Sequence, residues 1–380
     1  MKYYSKSDVV VGVKLSVHAI KPMRLPTGTH PWIVYVVAAI LAVFPTFLAA
    51  QAENAAPSLK KVTVGDGVVL HYEERGEGTP VIFVHGSLSD GSYWHDQLAP
   101  FSEAGFRAIA YSRRYSFPNR NQARPGYSAV VDADDLAALI QKLHLGKVDV
   151  VGHSYGALTA LFLAVRHPEL VRMLVLCEAP AVSLLAHLPG SQSAIGKATL
   201  ADIQAQMVKP MRVAFRKGDD DAGVRAFIGY VMRDPQAWDK MSAAAREDTL
   251  KNAREWEVMM TTGELFPSLD PHAVRNIRAP VLLLSGEKSY PFLGLIDEEL
   301  ARLLPHSRRI ILPGATHRMW FEQPDECRRD VLEFLRGGDS QAEPSASAHR
   351  SGEVWSCGWR IAISAHSSTQ GFPSCYDSPM

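Results

Sequence analysis

The sequence predicts an α/β protein: a mainly parallel, twisted sheet with helices on both faces and a helical insertion after the sixth strand. Three observations predict it. Between about residues 59 and 336, short apolar runs alternate with helix-type segments, the order that builds a parallel sheet. The runs are apolar throughout, as strands buried on both faces are. The alternation then stops over residues 179–279, where the chain reads as helix only.

In order, residues 61–64 and 68–73 flank Gly65-Asp66-Gly67, a hairpin signal. The runs 80–84, 107–111, 148–151, 173–177 and 281–284 each end at a turn or a small polar residue, as buried strands do. Residues 309–312 form a last strand-like run. Helical patterns occupy 94–104, 130–143, 155–167, 296–304 and 325–335. The last follows Pro324 and opens with Asp325 and Glu326, which suits a helix N-terminus. Within the interruption, 201–215, 222–232 and 235–257 read as helices. An insertion at the carboxyl edge of a parallel sheet overlies the place where such sheets bind ligands, so residues 179–279 are read as a lid.

Composition excludes several classes. Among 380 residues, 40 Lys and Arg balance 40 Asp and Glu, so no basic stripe for nucleic acid is expected. Cys177 and Cys327 fall in apolar or helical segments and read as buried thiols, whereas Cys357 and Cys375 lie in a Ser-rich end. No Cys or His spacing suits a metal, and no cofactor is expected.

The two ends differ from the body. Residues 33–50 carry no charge, follow Lys21 and Arg24, and precede Ala50-Gln51-Ala52. That is the basic, apolar and A-x-A order of a signal peptide. Residues 1–52 are therefore expected to be cleaved from an exported, periplasmic or secreted protein. The alternative is an anchor through residues 31–50, with membrane contact only if the segment is uncleaved. Met23, just ahead of Arg24, is an alternative start. Residues 53–337 are expected to be the folded body, and 338–380 a disordered tail.

The chemistry concentrates at three turns. Val148-Asp149-Val150-Val151 feeds Gly152-His153-Ser154-Tyr155-Gly156, a strand–turn–helix in which flanking glycines leave room for a strained, projecting serine. Ser154 is the expected nucleophile. A serine needs a base, and His317 lies in Pro313-Gly314-Ala315-Thr316-His317, between the last strand and the last helix. Attack on a carbonyl also needs donors for the oxyanion. The turn Phe83-Val84-His85-Gly86-Ser87 offers the Ser87 N–H, which with the Tyr155 N–H would form the hole. Gly86, which allows close approach, and Trp320, beside His317 with Phe321, are the expected substrate contacts. Trp238, Trp256, Met259 and Met260 either line an acyl pocket or simply pack. Arg113 or Arg114 is expected to form a structural ion pair with Asp132, Asp134 or Asp135.

With H-G-S at 85–87, G-H-S-Y-G at 152–156 and G-A-T-H at 314–317, residues 60–336 resemble the α/β-hydrolase superfamily, in its lidded branch of single-domain esterases and lactonases. The resemblance implies a serine hydrolase without a cofactor, acting on a small-molecule ester, lactone, thioester or other acyl substrate. It also exposes a departure. Such proteins usually carry an aspartate in the loop after the strand at 281–284, where this chain has Gly286-Glu287-Lys288-Ser289. Some supply the acid from the preceding strand end, here Glu178. Glu178 is therefore the expected acid, with Glu287 and Asp297 as alternatives. Carbon–carbon bond hydrolysis, perhydrolysis and a non-catalytic ligand-binding role remain the alternative functions.

Overall fold

The computed structural model describes residues 59–337. The expected leader at 1–52 and tail at 338–380 lie outside the described residues. Within them, every strand expected from the apolar runs forms: β1 (Lys60–Thr63), β2 (Val69–Arg75), β3 (Thr79–Val84), β4 (Phe106–Tyr111), β5 (Val148–His153), β6 (Val171–Cys177), β7 (Val281–Gly286) and β8 (Ser307–Leu312). They make one sheet in the order β1-β2-β4-β3-β5-β6-β7-β8. The hairpin strands β1 and β2 pair antiparallel, and β2 joins β4 antiparallel. All later pairings are parallel.

The strand order places the site. The chain runs from β3 outward to β4, then returns to lay β5 on the other side of β3. This reversal opens a crevice at the carboxyl ends of β3 and β5, where open α/β sheets bind ligands. The turns after β3 and β5 are those carrying Ser87 and Ser154.

Alternate residues of each strand face opposite ways, so the sheet has two cores. Ile82, Ile109, Val150, Leu174 and Leu283 face the helices Ala129–Lys142 (α2) and Tyr155–Arg166 (α3) together with the helical insert. Val81, Phe83, Val175 and Leu284 face the helices His95–Glu103 (α1) and Pro324–Gly337, the last of the described chain. Both faces are covered, which explains why the runs are apolar without alternation.

The insert departs from expectation in its joints. A helix was expected over 201–215, but it starts at Gln192 and runs to Arg216 through a π-helical stretch, Ile203–Val208. Pro210 has no N–H to give to the helix ladder, and it sits just past that wider stretch. The expected helix 235–257 is three: Ala237–Lys240, Ala243–Leu250 and Arg254–Thr261. Met241 is extended (ψ 146°), and the Ser242 side chain caps the Ala245 N–H, so the first break is encoded by a capping serine. The helix expected at 296–304 begins at Pro291, where a proline with preset φ opens a helix well.

That helix, Pro291–Leu303, buries Asp297 completely. Its carboxylate accepts a hydrogen bond from Ser285 Oγ at 2.6 Å, and one oxygen has no protein partner. Burial pushes Asp297 up to about 7 from its ordinary 3.8, with the neighbouring charge of Glu178 adding to the rise against the Ser285 bond. A carboxyl whose folded pKa is raised binds its proton in the folded state first, so stability is lost as pH climbs from the unfolded value through the folded one. Asp297→Asn keeps the acceptor and cannot ionise. It is expected to gain on the wild type by about 2–4 kcal/mol between pH 4 and pH 8, read by urea unfolding across that range. A pH-independent difference would show that Asp297 does not titrate as its burial demands.

Candidate active site

Ser154 occupies the turn between β5 and α3 with φ 55° and ψ −124°, a conformation that costs a non-glycine residue free energy. The surroundings enforce it. The Ser154 N–H donates to the Cys177 carbonyl at 2.8 Å, tying the turn to the end of β6. A Cβ on Gly156 would lie 2.2 Å from the Val84 carbonyl oxygen, and one on Gly152 2.6 Å from the Ala157 Cα. Only glycine fits at either position. Tyr155 is the first residue of its helix, so its N–H has no partner in the ladder and stands beside Ser154.

The other two expected side chains converge from opposite directions. Glu178, directly after β6, also has positive φ (55°) and is buried. Its carboxylate accepts from the Gly286 N–H at 2.8 Å, from Ser289 Oγ at 2.7 Å, and from His317 Nδ1. Burial acts to raise this carboxyl, but the hydrogen bond and charge of His317, with Ser289 and Gly286, outweigh it and hold Glu178 below the usual carboxylate range. Ser289, standing where an aspartate was expected, is thus a hydrogen-bond donor to the Glu178 carboxylate at the end of the neighbouring strand. Because the carboxylate can only accept, Nδ1 donates, so whenever the His317 ring is neutral Nε2 is the nitrogen without the proton.

The loop bearing His317 is held at several points. Glu287 accepts from the Gly314 N–H at 2.7 Å, and the Lys288 N–H donates to the Ala315 carbonyl at 2.8 Å. Gly286 packs so closely that a Cβ there would lie 2.6 Å from the Ala315 oxygen. His153 Nε2 donates to the His317 carbonyl at 2.8 Å, and burial, followed by the His317 charge, lowers His153 to about 3. His153 is therefore a neutral prop. The alternatives to Glu178 sit elsewhere: Glu287 holds the loop backbone, and Asp297 pairs with Ser285.

Ser154, His317, Gly86, Ser87 and Tyr155 line one cavity of about 230 Å3. Its far wall is apolar and comes largely from the insert: Met207, Phe227, Val231, Trp256 and Phe266. Trp320 requires a correction. It is buried in the second core, edge-on to Trp94 at 4.9 Å, with its indole N–H on Cys177 Sγ, so it packs the sheet and does not line the cavity. Phe321 is exposed and lies edge-on to Tyr93. The aromatic residue beside His317 is Tyr290, at 5.2 Å between ring centroids, and Tyr93, which also lines the cavity, stacks on His153 at 5.4 Å. Of the insert candidates, Trp256 lines the cavity, whereas Trp238 is buried with its indole N–H on Asp221, and Met259 and Met260 are core residues. Arg114 pairs with Asp135, and Arg113 with Asp132 and also with Glu255 of the insert, a partner 142 residues away that no local pattern signals. Asp134 binds Arg166 and His167. Cys177 and Cys327 are buried free thiols, and no group of metal-binding side chains occurs among the described residues.

Comparison with known proteins agrees with this fold. The model of the alpha/beta hydrolase family matches residues 81–330. The chain is similar to the 2-(acetamidomethylene)succinate hydrolase of Mesorhizobium japonicum, 26% identical over 278 residues that cover 73% of this chain and 94% of the relative. It is equally similar to the bifunctional esterase/perhydrolase DCH of Acinetobacter calcoaceticus, 26% identical over 290 residues, covering 72% and 99%. Among solved structures, the enol-lactonase of Burkholderia xenovorans LB400 shares the fold with a TM-score of 0.57 and 22% identity, covering 73% of this chain and 100% of that one.

Proposed function

Because the chain belongs to the alpha/beta hydrolase family, we propose that it is a serine hydrolase cleaving a carboxylic ester, lactone or thioester through an acyl-enzyme on Ser154. One observation carries the reading: a serine forced into a strained turn lines the same cavity as a histidine whose Nδ1 is bonded to a buried carboxylate. In this mechanism Ser154 Oγ attacks the carbonyl carbon while His317 Nε2 takes its proton. The N–H groups of Ser87 and Tyr155 receive the developing oxyanion. Collapse of the tetrahedral intermediate expels the alcohol, which takes the proton back from His317. Water, activated by the same histidine, then releases the acid. Glu178 keeps His317 in the right tautomer and stabilises the imidazolium that forms.

The insert acts as a lid over the acyl group. Its apolar side chains and the modest cavity suit an uncharged, short to medium acyl chain, best at about four to eight carbons. A series of p-nitrophenyl esters from acetate to palmitate is expected to give a maximum in kcat/KM in that range. A maximum at palmitate would sink the size assignment, and no turnover of any ester, lactone or thioester would sink the reaction. Hydrogen peroxide in place of water is the second reading, favoured by the name of the Acinetobacter relative. Export from the cytoplasm is part of the proposal and rests on the basic, apolar, A-x-A order before residue 53.

A further inference from the structure

We infer that Arg113 is a positioning residue: by holding the Gly86 carbonyl, its buried guanidinium aims the Ser87 N–H at the oxyanion, and Glu255 of the insert completes the clamp. The inference rests on the reaction proposed above and adds a residue to it. Arg113 is fully buried just past β4. Its Nη2 donates to the Gly86 carbonyl at 3.0 Å and its Nε to the His85 carbonyl at 3.2 Å. The Arg113 main-chain N–H donates to His85 Nε2 at 3.0 Å. That ring nitrogen is therefore the acceptor, which leaves the His85 proton on Nδ1, and Nδ1 donates to the same Gly86 carbonyl at 2.8 Å. The oxygen is held twice, by two groups that are themselves fixed to each other.

A trans peptide unit is planar, and its C=O and the next N–H point in opposite directions. Holding the Gly86 oxygen against the guanidinium therefore turns the Ser87 N–H away from it. Ser154 is close to this turn: a Cβ on Gly86 would be 3.0 Å from the Ser154 Cβ. The Ser87 N–H makes no hydrogen bond among the described residues, and Ser87 lines the cavity.

The remaining bonds explain how the cation is held. Nη1 donates to Asp132 at 2.8 Å, and the same Nη2 that holds Gly86 donates to Glu255 at 2.6 Å. A buried ion pair contributes little net stability compared with apolar packing, but it fixes a donor in place. Glu255 precedes Trp256, which forms part of the cavity wall, so one nitrogen atom joins the substrate-facing insert to the oxyanion turn.

Arg113→Lys tests this, since a single ammonium cannot span two carbonyls and two carboxylates as a planar guanidinium does. Titration with a fluorophosphonate first counts the competent sites. With p-nitrophenyl acetate, kcat per titrated site is expected to fall about 10–100-fold with KM within about twofold, and the Ser87 amide 1H–15N resonance to shift. Ser87→Pro lacks the N–H, so Arg113→Lys added to it is expected to change kcat no further. Full additivity of the two, an unmoved Ser87 resonance, or a loss confined to KM would overturn the assignment. If Arg113→Lys fails to fold, Glu255→Gln carries the same measurements, with an expected loss in kcat of about 3–10-fold, again absent in the Ser87→Pro background. The amide resonance needs no turnover. A chain that hydrolyses no ester but whose Ser87 signal moves in Arg113→Lys would remove the reaction and leave the positioning intact.

Discussion

Replacing Ser154 with alanine is expected to abolish fluorophosphonate labelling and to lower kcat for ester hydrolysis about 10^4–10^6-fold, leaving only what the oxyanion donors and binding supply. The size of the effect follows from the covalent route: without Oγ no acyl-enzyme forms, and water must attack the carbonyl directly. The fold should be indifferent. The Ser154 side chain makes no hydrogen bond among the described residues, its N–H bond to Cys177 is main-chain, and alanine suffers the same strain at φ 55°. Melting temperatures within about 3 °C of each other are therefore expected. A folded Ser154→Ala protein that is still labelled, or that retains more than about 1% of the wild-type kcat, would move the nucleophile to another residue and end the proposal. Loss of both fold and labelling would leave the alternative of a ligand-binding protein to be tested through Ser154→Gly, which relieves the strain.

What the sequence revealed depends on how local each feature is. The sheet was legible because burial on both faces forces continuous apolar runs, and the tight turn at Ser154 because Gly152 and Gly156 must be glycine where backbone approaches within 2.6 Å and 2.2 Å of a built Cβ. His317 was found from its place between the last strand and the last helix. Glu178, the proposed acid, required chain order as well as composition, since it and His317 meet across 139 residues. Trp320 shows where local reasoning stops. It neighbours Phe321, and Tyr93 neighbours Trp94, and in each pair the tryptophan packs under the sheet, while Phe321 is exposed and Tyr93 stacks on His153 at the cavity. Nothing in two adjacent aromatic letters says which one does so, because that depends on the phase of a short turn. The Arg113–Glu255 contact was invisible for a related reason: the insert meets the sheet through tertiary packing that no periodicity records.

Glu178→Gln is expected to lower kcat about 10^3–10^4-fold with a small change in KM. Glutamine nearly matches the carboxylate in shape and still accepts from Gly286 or Ser289. Its amide N–H2, however, donates to His317 Nδ1 and leaves the ring proton on Nε2, the nitrogen that must be free to deprotonate Ser154. It also carries no charge to stabilise the imidazolium. Glu287→Gln removes only a charge from a bond to the Gly314 N–H and should cost a few-fold at most. The reverse order of these two losses would transfer the acid to Glu287. A second, independent signature lies in stability. The folded Glu178 pKa is depressed below its ordinary 4.5, so the carboxylate stabilises the protein fully above the unfolded value and progressively less as pH falls through the folded one. The advantage of wild type over Glu178→Gln, measured by urea unfolding, should therefore shrink from pH 7 towards pH 3, and an advantage that grows on acidification would mean that Glu178 is not held as the ionised partner of His317.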